Sequence, residues 1–359
     1  MRRVISVLVA VVLLCGVGYV VVRNLDDPAE PKQVRVLIGS EKAGFFNDPE
    51  VIAEFRANGL DVRPQTIGSW SMVTADLKDV DLAFPSSRGP AEKIAADHGI
   101  STELVRPFYS PLVVIAHRKV AEVLAKNGLA EQTGEAPWKL RMDKYLAAFK
   151  RGAKWSEFQG AAGNAELTGE MYLTTTDPRT SSSGALFLAA ASYLENHEQV
   201  VADDAGVSAV GALLKRLTEK QGEQKTSSDG PFSDFRSGVG NALVLVYESQ
   251  VAALTAHGTS TDDLVVLYPD TTVSSDHTAV GLTPDGRRVA DLLKDSPKLR
   301  ALEAGHGFRP TADQAAFGKA LEGHPGPAFA QELAAAGVKQ APVATFPVLA
   351  KLVETAKGK

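Results

Sequence analysis

The stretch that decides the fold is residues 107–117, PFYSPLVVIAH. Pro107-Phe108-Tyr109-Ser110-Pro111 ends the pattern before it. Leu112-Val113-Val114-Ile115-Ala116-His117 is then an apolar, β-branched run of the kind that forms a buried strand. With no helix to return it to its own sheet, such a strand takes the chain across into a second lobe. A second run, Ala242-Leu243-Val244-Leu245-Val246-Tyr247, takes it back. Two crossovers predict a discontinuous first lobe, residues 34–112 and 248–359, and a continuous second lobe, residues 113–247.

The segments before the first crossover alternate. Val34–Ile38 reads as a strand ending at Gly39-Ser40, and Asp48-Pro49-Glu50 supplies the cap, first-turn proline and acid of a helix that stops at Gly59. Leu60–Ile67 is a second strand running into Gly68-Ser69-Trp70, and Met72–Leu77 a short helix. Val80–Phe84 is a third strand, followed by the turn Pro85-Ser86-Ser87-Arg88-Gly89-Pro90 and a helix over 91–97. This β-α-β-α-β-α order predicts an α/β protein with a parallel sheet covered on both faces. Ligands of such sheets lie at the carboxyl ends of the strands, which here carry Ser40, Ser69 and Ser86-Ser87. Trp70 reads either as a flank of that cleft or as a domain-surface anchor.

Beyond the first crossover, residues 119–235 are mainly helical in pattern. Within them lies YLTTTDPRTSSSGALFLAAASYL, residues 172–194. Thr174–Thr176 read as the end of a strand, Asp177 to Gly184 as a polar turn, and Ala185 onward as a helix. The first N–H groups of that helix, with its dipole, suit an oxyanion, a carboxylate or another polar ligand. An ordinary serine cap accounts for the same residues. After the second crossover, Glu248-Ser249-Gln250 opens a helix, and 264–282 carries further strands. Thr283-Pro284-Asp285 caps a helix through Lys294, and the alanine-rich tail is helical.

The chain has 359 residues, enough for two domains, and a formal charge of −5 with no basic block, which argues against nucleic acid as a partner. Arg2 and Arg3 precede Val4–Val22, nineteen residues without a charged side chain, and Arg23 closes the run. That length spans a bilayer, so residues 1–23 read as a single-pass cell-membrane anchor with the globular part extracytoplasmic, and 24–33 as its linker. Cys15, the only cysteine, is preceded by Leu13-Leu14 rather than by the small residue that lipid attachment favours, and the apolar run continues past it.

No catalytic, cofactor or metal motif stands out: Ser-x-x-Lys, Gly-x-Ser-x-Gly, Gly-x-x-x-x-Gly-Lys and His-Glu-x-x-His are all missing, and the seven histidines are scattered. The expectation is no cofactor, no metal and no enzymatic activity.

What remains is a set of polar loops on two lobes. The order of Gly39-Ser40, Phe84-Pro85-Ser86-Ser87, the Thr176–Gly184 loop, Val246-Tyr247-Glu248-Ser249-Gln250 and His306-Gly307-Phe308-Arg309-Pro310 resembles the type II periplasmic-binding-protein fold. More narrowly it resembles the extracellular solute-binding proteins related to molybdate and sulfate binders, over about residues 34–310. The resemblance implies a small-molecule ligand held by Ser40, Ser86 or Ser87, Ser182, Ser183 and Tyr247, and an ABC-type membrane permease or surface assembly as partner. The chain departs from the family in having Arg179 in the helix-opening loop and Glu248 directly after the tyrosine. Arg179 favours an anionic ligand and Glu248 opposes one, so both join the candidate ligand-binding set. Glu248 also reads as an N-terminal helix acid. Two other functions stay open: an enzyme on the same architecture, such as a deaminase or cyclase using Glu248 or Asp177, and a ligand-free adaptor that binds a protein.

Overall fold

A computed structural model describes residues 30–261 and 263–358. The membrane anchor expected at 1–23, with Cys15, and most of the expected 24–33 linker lie outside the described residues. Among the described residues, no helix is long and apolar enough to cross a membrane.

The strands are β1 (Lys32–Ile38), β2 (Leu60–Thr66), β3 (Leu82–Phe84), β4 (Val105–His117), β5 (Ala130–Glu131), β6 (Trp138–Leu140), β7 (Val244–Tyr247), β8 (Leu264–Pro269), β9 (Thr271–Thr272), β10 (Ser274–Gly281), β11 (Arg309–Pro310) and β12 (Lys339–Gln340). The first lobe's sheet runs β2-β1-β3-β10-β4. β1 pairs in parallel with β2 and β3, while β10 is antiparallel to both β3 and β4. Because side chains alternate along β1, Val34, Val36 and Ile38 enter one core with Phe45, Phe55, Val289 and Leu299. Leu37 enters the core on the opposite face with Met72 and Ile94. The helices behind these cores start as their sequences require. Asp48 accepts from the Glu50 N–H at 2.7 Å ahead of Pro49, and Thr283 accepts from Gly286 at 3.2 Å ahead of Pro284.

β4 is the link between lobes. Its first half, through Pro111, pairs with β10, whereas Leu112–Ile115 pair with β7 and Val114–His117 with β8. Thus the two predicted crossover runs lie side by side as antiparallel strands. β8 in turn pairs with β6, so β4 joins the strands of both lobes into one ten-stranded hydrogen-bonded sheet. The helices Arg118–Lys126, Met142–Lys150, Ser182–Glu195 and Asp204–Glu219 bury a large common core on the second lobe's strands.

Two boundaries differ from expectation. The strand Leu264–Pro269 and the last helix, Phe346–Ala356, fall within the span 248–359 but pack on the second lobe. β8 pairs with β6, and Leu349, Leu352 and Val353 join Leu213 and Leu214 in the second core. The linker is also shorter, because Lys32 and Gln33 already pair with β2. Thr174 makes an isolated bridge with Val244 rather than ending a strand. Trp70, from the first lobe, stacks on Phe346 with ring centroids 5.1 Å apart and so anchors one domain to the other.

Candidate functional site

The loops after β1, β2 and β3 and the start of helix Ser182–Glu195 meet at one place. From the first lobe come Ser69, Ser86 and Ser87, all buried, and from the second Ser182 and Ser183. Ser87 Oγ and Ser182 Oγ are 2.7 Å apart, a hydrogen bond between lobes. The Trp70 N–H donates to the Thr180 carbonyl at 3.0 Å, a second one. Ser69 Oγ accepts from the Ser86 N–H and lies 2.9 Å from Ser86 Oγ. Ser183 Oγ lies 2.8 Å from Thr176 Oγ1 and 3.0 Å from Ser181 Oγ. Gly184 permits this packing, since a Cβ there would collide with the Thr176 carbonyl. Tyr247, at the end of β7, is buried with its hydroxyl among those of Ser275, Ser183 and Ser86.

Charged residues occupy the middle. Ser40–Lys42 forms a single 3-10 turn after β1. The Glu41 carboxylate and the Lys42 ammonium, with side chains 4% and 0% exposed, pair at 2.5 Å. Ser86 Oγ donates to the same Glu41 oxygen, Oε1. Lys42 Nζ also lies 3.0 Å from Ser86 Oγ and 3.1 Å from His277 Nδ1. Burial lowers the Lys42 pKa, against the pull of Glu41. Burial and the Lys42 charge hold the His277 pKa well below the ordinary imidazole value. His277 is therefore neutral and accepts from Lys42 through Nδ1. Burial, with the nearby Glu41 charge, pushes the Tyr247 hydroxyl up, so it stays a donor. Asp229 adjoins from the second lobe, its pKa raised by burial and then by Glu41 while Ser40 and Gln250 act against the rise. The Gln250 amide ties it to the tyrosine, donating to Asp229 at 2.9 Å and accepting from the Tyr247 N–H at 3.1 Å. A cavity of about 810 Å³ opens beside the Ser87 contact, lined among others by Arg88, Leu186, Asp276 and Phe346.

Of the residues singled out from sequence, Ser86, Ser87, Ser182, Ser183 and Tyr247 converge here, and Ser40 stands at the edge beside Asp229. Arg179 and Glu248 do not join them. The Arg179 side chain is 51% exposed and folds onto Asp177, two residues away, with Nη2 to Oδ2 at 2.5 Å. Glu248 is fully buried but faces the hinge, where Arg309 binds both of its oxygens. The two carboxylates considered as acid/base groups are thus each held by an arginine. For Asp177, burial works to raise the pKa but Arg179 and Lys357 outweigh it and lower it.

Glu41, Lys42, Asp229 and His277 were not singled out from sequence. Charged residues in a turn read as solvated surface, and a lone histidine between strands carries no spacing signal. The one clue was that Glu41-Lys42 directly follows Ser40. Among the described residues, no group of three or more His, Cys, Asp or Glu side chains is placed to hold a metal ion.

No protein-family model matches the chain, and no curated protein matches its sequence. Solved structures do. The sulfate-binding protein SubI from Mycobacterium tuberculosis H37Rv is similar with a TM-score of 0.53 at 16% identity, over 83% of this chain and 93% of its own. A periplasmic thiamin-binding protein gives 0.53 at 13% identity, over 92% and 98%. Iron-bound HitA from Pseudomonas aeruginosa gives 0.56 at 10% identity, over 91% and 99%. At such identities the likeness concerns the fold, and the fold of this chain is the two-domain α/β fold of the type II periplasmic binding proteins.

Proposed function

We propose that the chain is an extracytoplasmic solute-binding protein, tethered to the cell membrane by residues 4–22, that closes its lobes on a small polar solute and delivers it to an ABC-type permease or surface assembly. The observation that carries this reading is the meeting of Ser86 and Ser87 with Ser182, Ser183 and Tyr247 from the other side of the cleft. Hydroxyls at strand ends and a helix start replace a solute's water, and only the closed form brings both sets to it. The sulfate and thiamin binders of the same fold support a binding role over a catalytic one.

The test is thermal unfolding of the protein against oxyanions, carboxylates, sugars, amino acids and polyamines. A solute at about 100 times its dissociation constant adds about 2.7 kcal/mol to unfolding. Tyr247→Phe should then weaken binding of the active solute by about one to two decades while the fold is kept. The second reading, a ligand-free adaptor, draws support from one observation: the Glu41 carboxylate already lies in the cleft, bound by Lys42 and Ser86. Absence of any shift across the panel at millimolar concentration would favour it.

A further inference from the structure

We propose that the Glu41 carboxylate is an internal ligand: it holds the seat of a singly charged anionic solute, a small carboxylate or monovalent oxyanion, which enters by displacing it. This rests on the solute-binding reading above and names the class of solute for that site.

The seat is built around the carboxylate. Oε1 takes a hydrogen bond from Lys42 Nζ at 2.5 Å and another from Ser86 Oγ, and His277 Nδ1 lies 3.5 Å away. Ser69 orders Ser86 from behind at 2.9 Å, and the Tyr247 hydroxyl faces the group from the hinge. The backbone makes room as well. A Cβ at Gly39 would stand 2.6 Å from each Glu41 oxygen, so glycine leaves the space in which the carboxylate lies. Lys42 Nζ and Ser86 Oγ are donors that a free anion would use, and a side chain of this chain is using them.

Charge then decides what replaces it. Lys42 is wholly buried, and the Glu41 carboxylate is its ion-pair partner. If Glu41 swings out with nothing in its place, Lys42 either stays as an unpaired buried ammonium or gives up its proton, and both are unfavourable. A neutral solute leaves the same unpaired charge, and a cation adds to it. Only an anion keeps Lys42 both charged and paired. Asp229 sets the upper limit, because its carboxyl already feels Glu41 across the cleft and would face any second negative charge. One charge is therefore accommodated better than two. Since Glu41 is attached to the seat, it also sets a threshold: a solute must bind better than the tethered carboxylate.

The experiment is chemical rescue on the full chain, wild type against Glu41→Ala, by thermal unfolding with formate, acetate, sulfate and chloride at constant ionic strength. Glu41→Ala should be destabilised and recovered by formate or acetate. Half-saturation should come at least about tenfold lower than for the wild type, with sulfate weaker and chloride ineffective. Adding Lys42→Met should abolish the rescue. Where Glu41→Ala does not fold in chloride alone, refolding into formate is the readout, and Glu41→Gln, which fills the seat without the charge, serves as the second variant and should bind formate more tightly than the wild type. The proposal is overturned if neither variant responds to formate beyond the wild type, if rescue survives Lys42→Met, or if all four salts act alike. Rescue of Glu41→Ala together with a wild type that ignores every solute would keep the internal ligand and discard the receptor.

Discussion

Glu248 and Arg309 form a two-pronged ion pair inside the hinge, with Nε to Oε2 at 2.6 Å and Nη2 to Oε1 at 2.8 Å. The Tyr268 hydroxyl donates to Glu248 and accepts from the Ala330 N–H at 3.1 Å. Arg309 also donates to the carbonyls of Ala330 and Gln331 and lies 3.9 Å over the Phe317 ring. The pair thus fastens the segment 330–331 to the helix that starts directly after Tyr247.

Removing one member of this pair should be costly, because the other is left buried and unpaired. Glu248→Gln is expected to lose about 3–5 kcal/mol in denaturant unfolding. The double variant Glu248→Gln/Arg309→Met should recover much of that loss, since no charge then remains. If Glu248→Gln were as stable as the wild type and weakened solute binding instead, the hinge assignment would fail.

Glu303 predicts a dependence of stability on pH. Both of its oxygens are buried without a hydrogen-bond partner, and burial raises its pKa well above 4.5, with only Arg300 acting against it. Above pH 4.5 the unfolded chain releases a proton that the folded chain keeps, so this residue lowers stability progressively as pH rises to its folded value. Glu303→Met should gain about 1–3 kcal/mol at pH 8 and less at pH 4, read from unfolding curves at both. Equal gains at the two pH values would contradict the titration argument.

The parts of the fold legible in sequence were those with a period. β1 to β3 alternate with capped helices, and the two apolar runs at Leu112–His117 and Ala242–Tyr247 do meet as neighbouring strands. The serines at Ser86, Ser87, Ser182 and Ser183 were legible because strand ends and helix starts are where backbone groups lie open. Partnership was not legible. Arg179 and Glu248 had the right chemistry, but Asp177 and Arg309 claim them, and those pairings depend on side-chain direction and on a contact across 61 residues. The final helix was misplaced for a related reason, since its apolar face fits either lobe and only packing against Leu213 and Leu214 settles which.

His277 should give the acid limb of stability. Its folded pKa lies well below 6.5 through burial and the Lys42 charge, and Glu41, Tyr247, Phe84, Phe108 and Phe308 also face it. Below pH 6.5 the unfolded chain takes up a proton that the folded chain refuses. Stability from this group is therefore complete above pH 6.5 and falls as pH drops toward the folded value, by up to about 1.36 kcal/mol per pH unit. His306, lowered by burial and by His257 against the pull of Asp48, adds a slope of the same sign. His277→Gln should flatten the fall between pH 7 and 5 without abolishing it. An unchanged slope would mean that His277 does not stay neutral.

Closure of the lobes should depend on Gly68. A Cβ at this position would collide with the Thr180 carbonyl oxygen of the other lobe, the same oxygen that accepts from the Trp70 N–H at 3.0 Å. The obstacle is backbone on both sides, so no flexible side chain can yield. Gly68→Ala is therefore expected to hold the lobes apart while leaving each core intact. Small-angle scattering should show a larger radius of gyration, and the fluorescence of Trp70 should change as its stack on Phe346 opens. Solute binding should weaken, because Ser87 and Ser182 no longer meet. Gly305→Ala is the control, since a Cβ there has nothing within 4 Å. A Gly68→Ala protein with wild-type dimensions and wild-type binding would show that the contact between Gly68 and Thr180 does not govern closure.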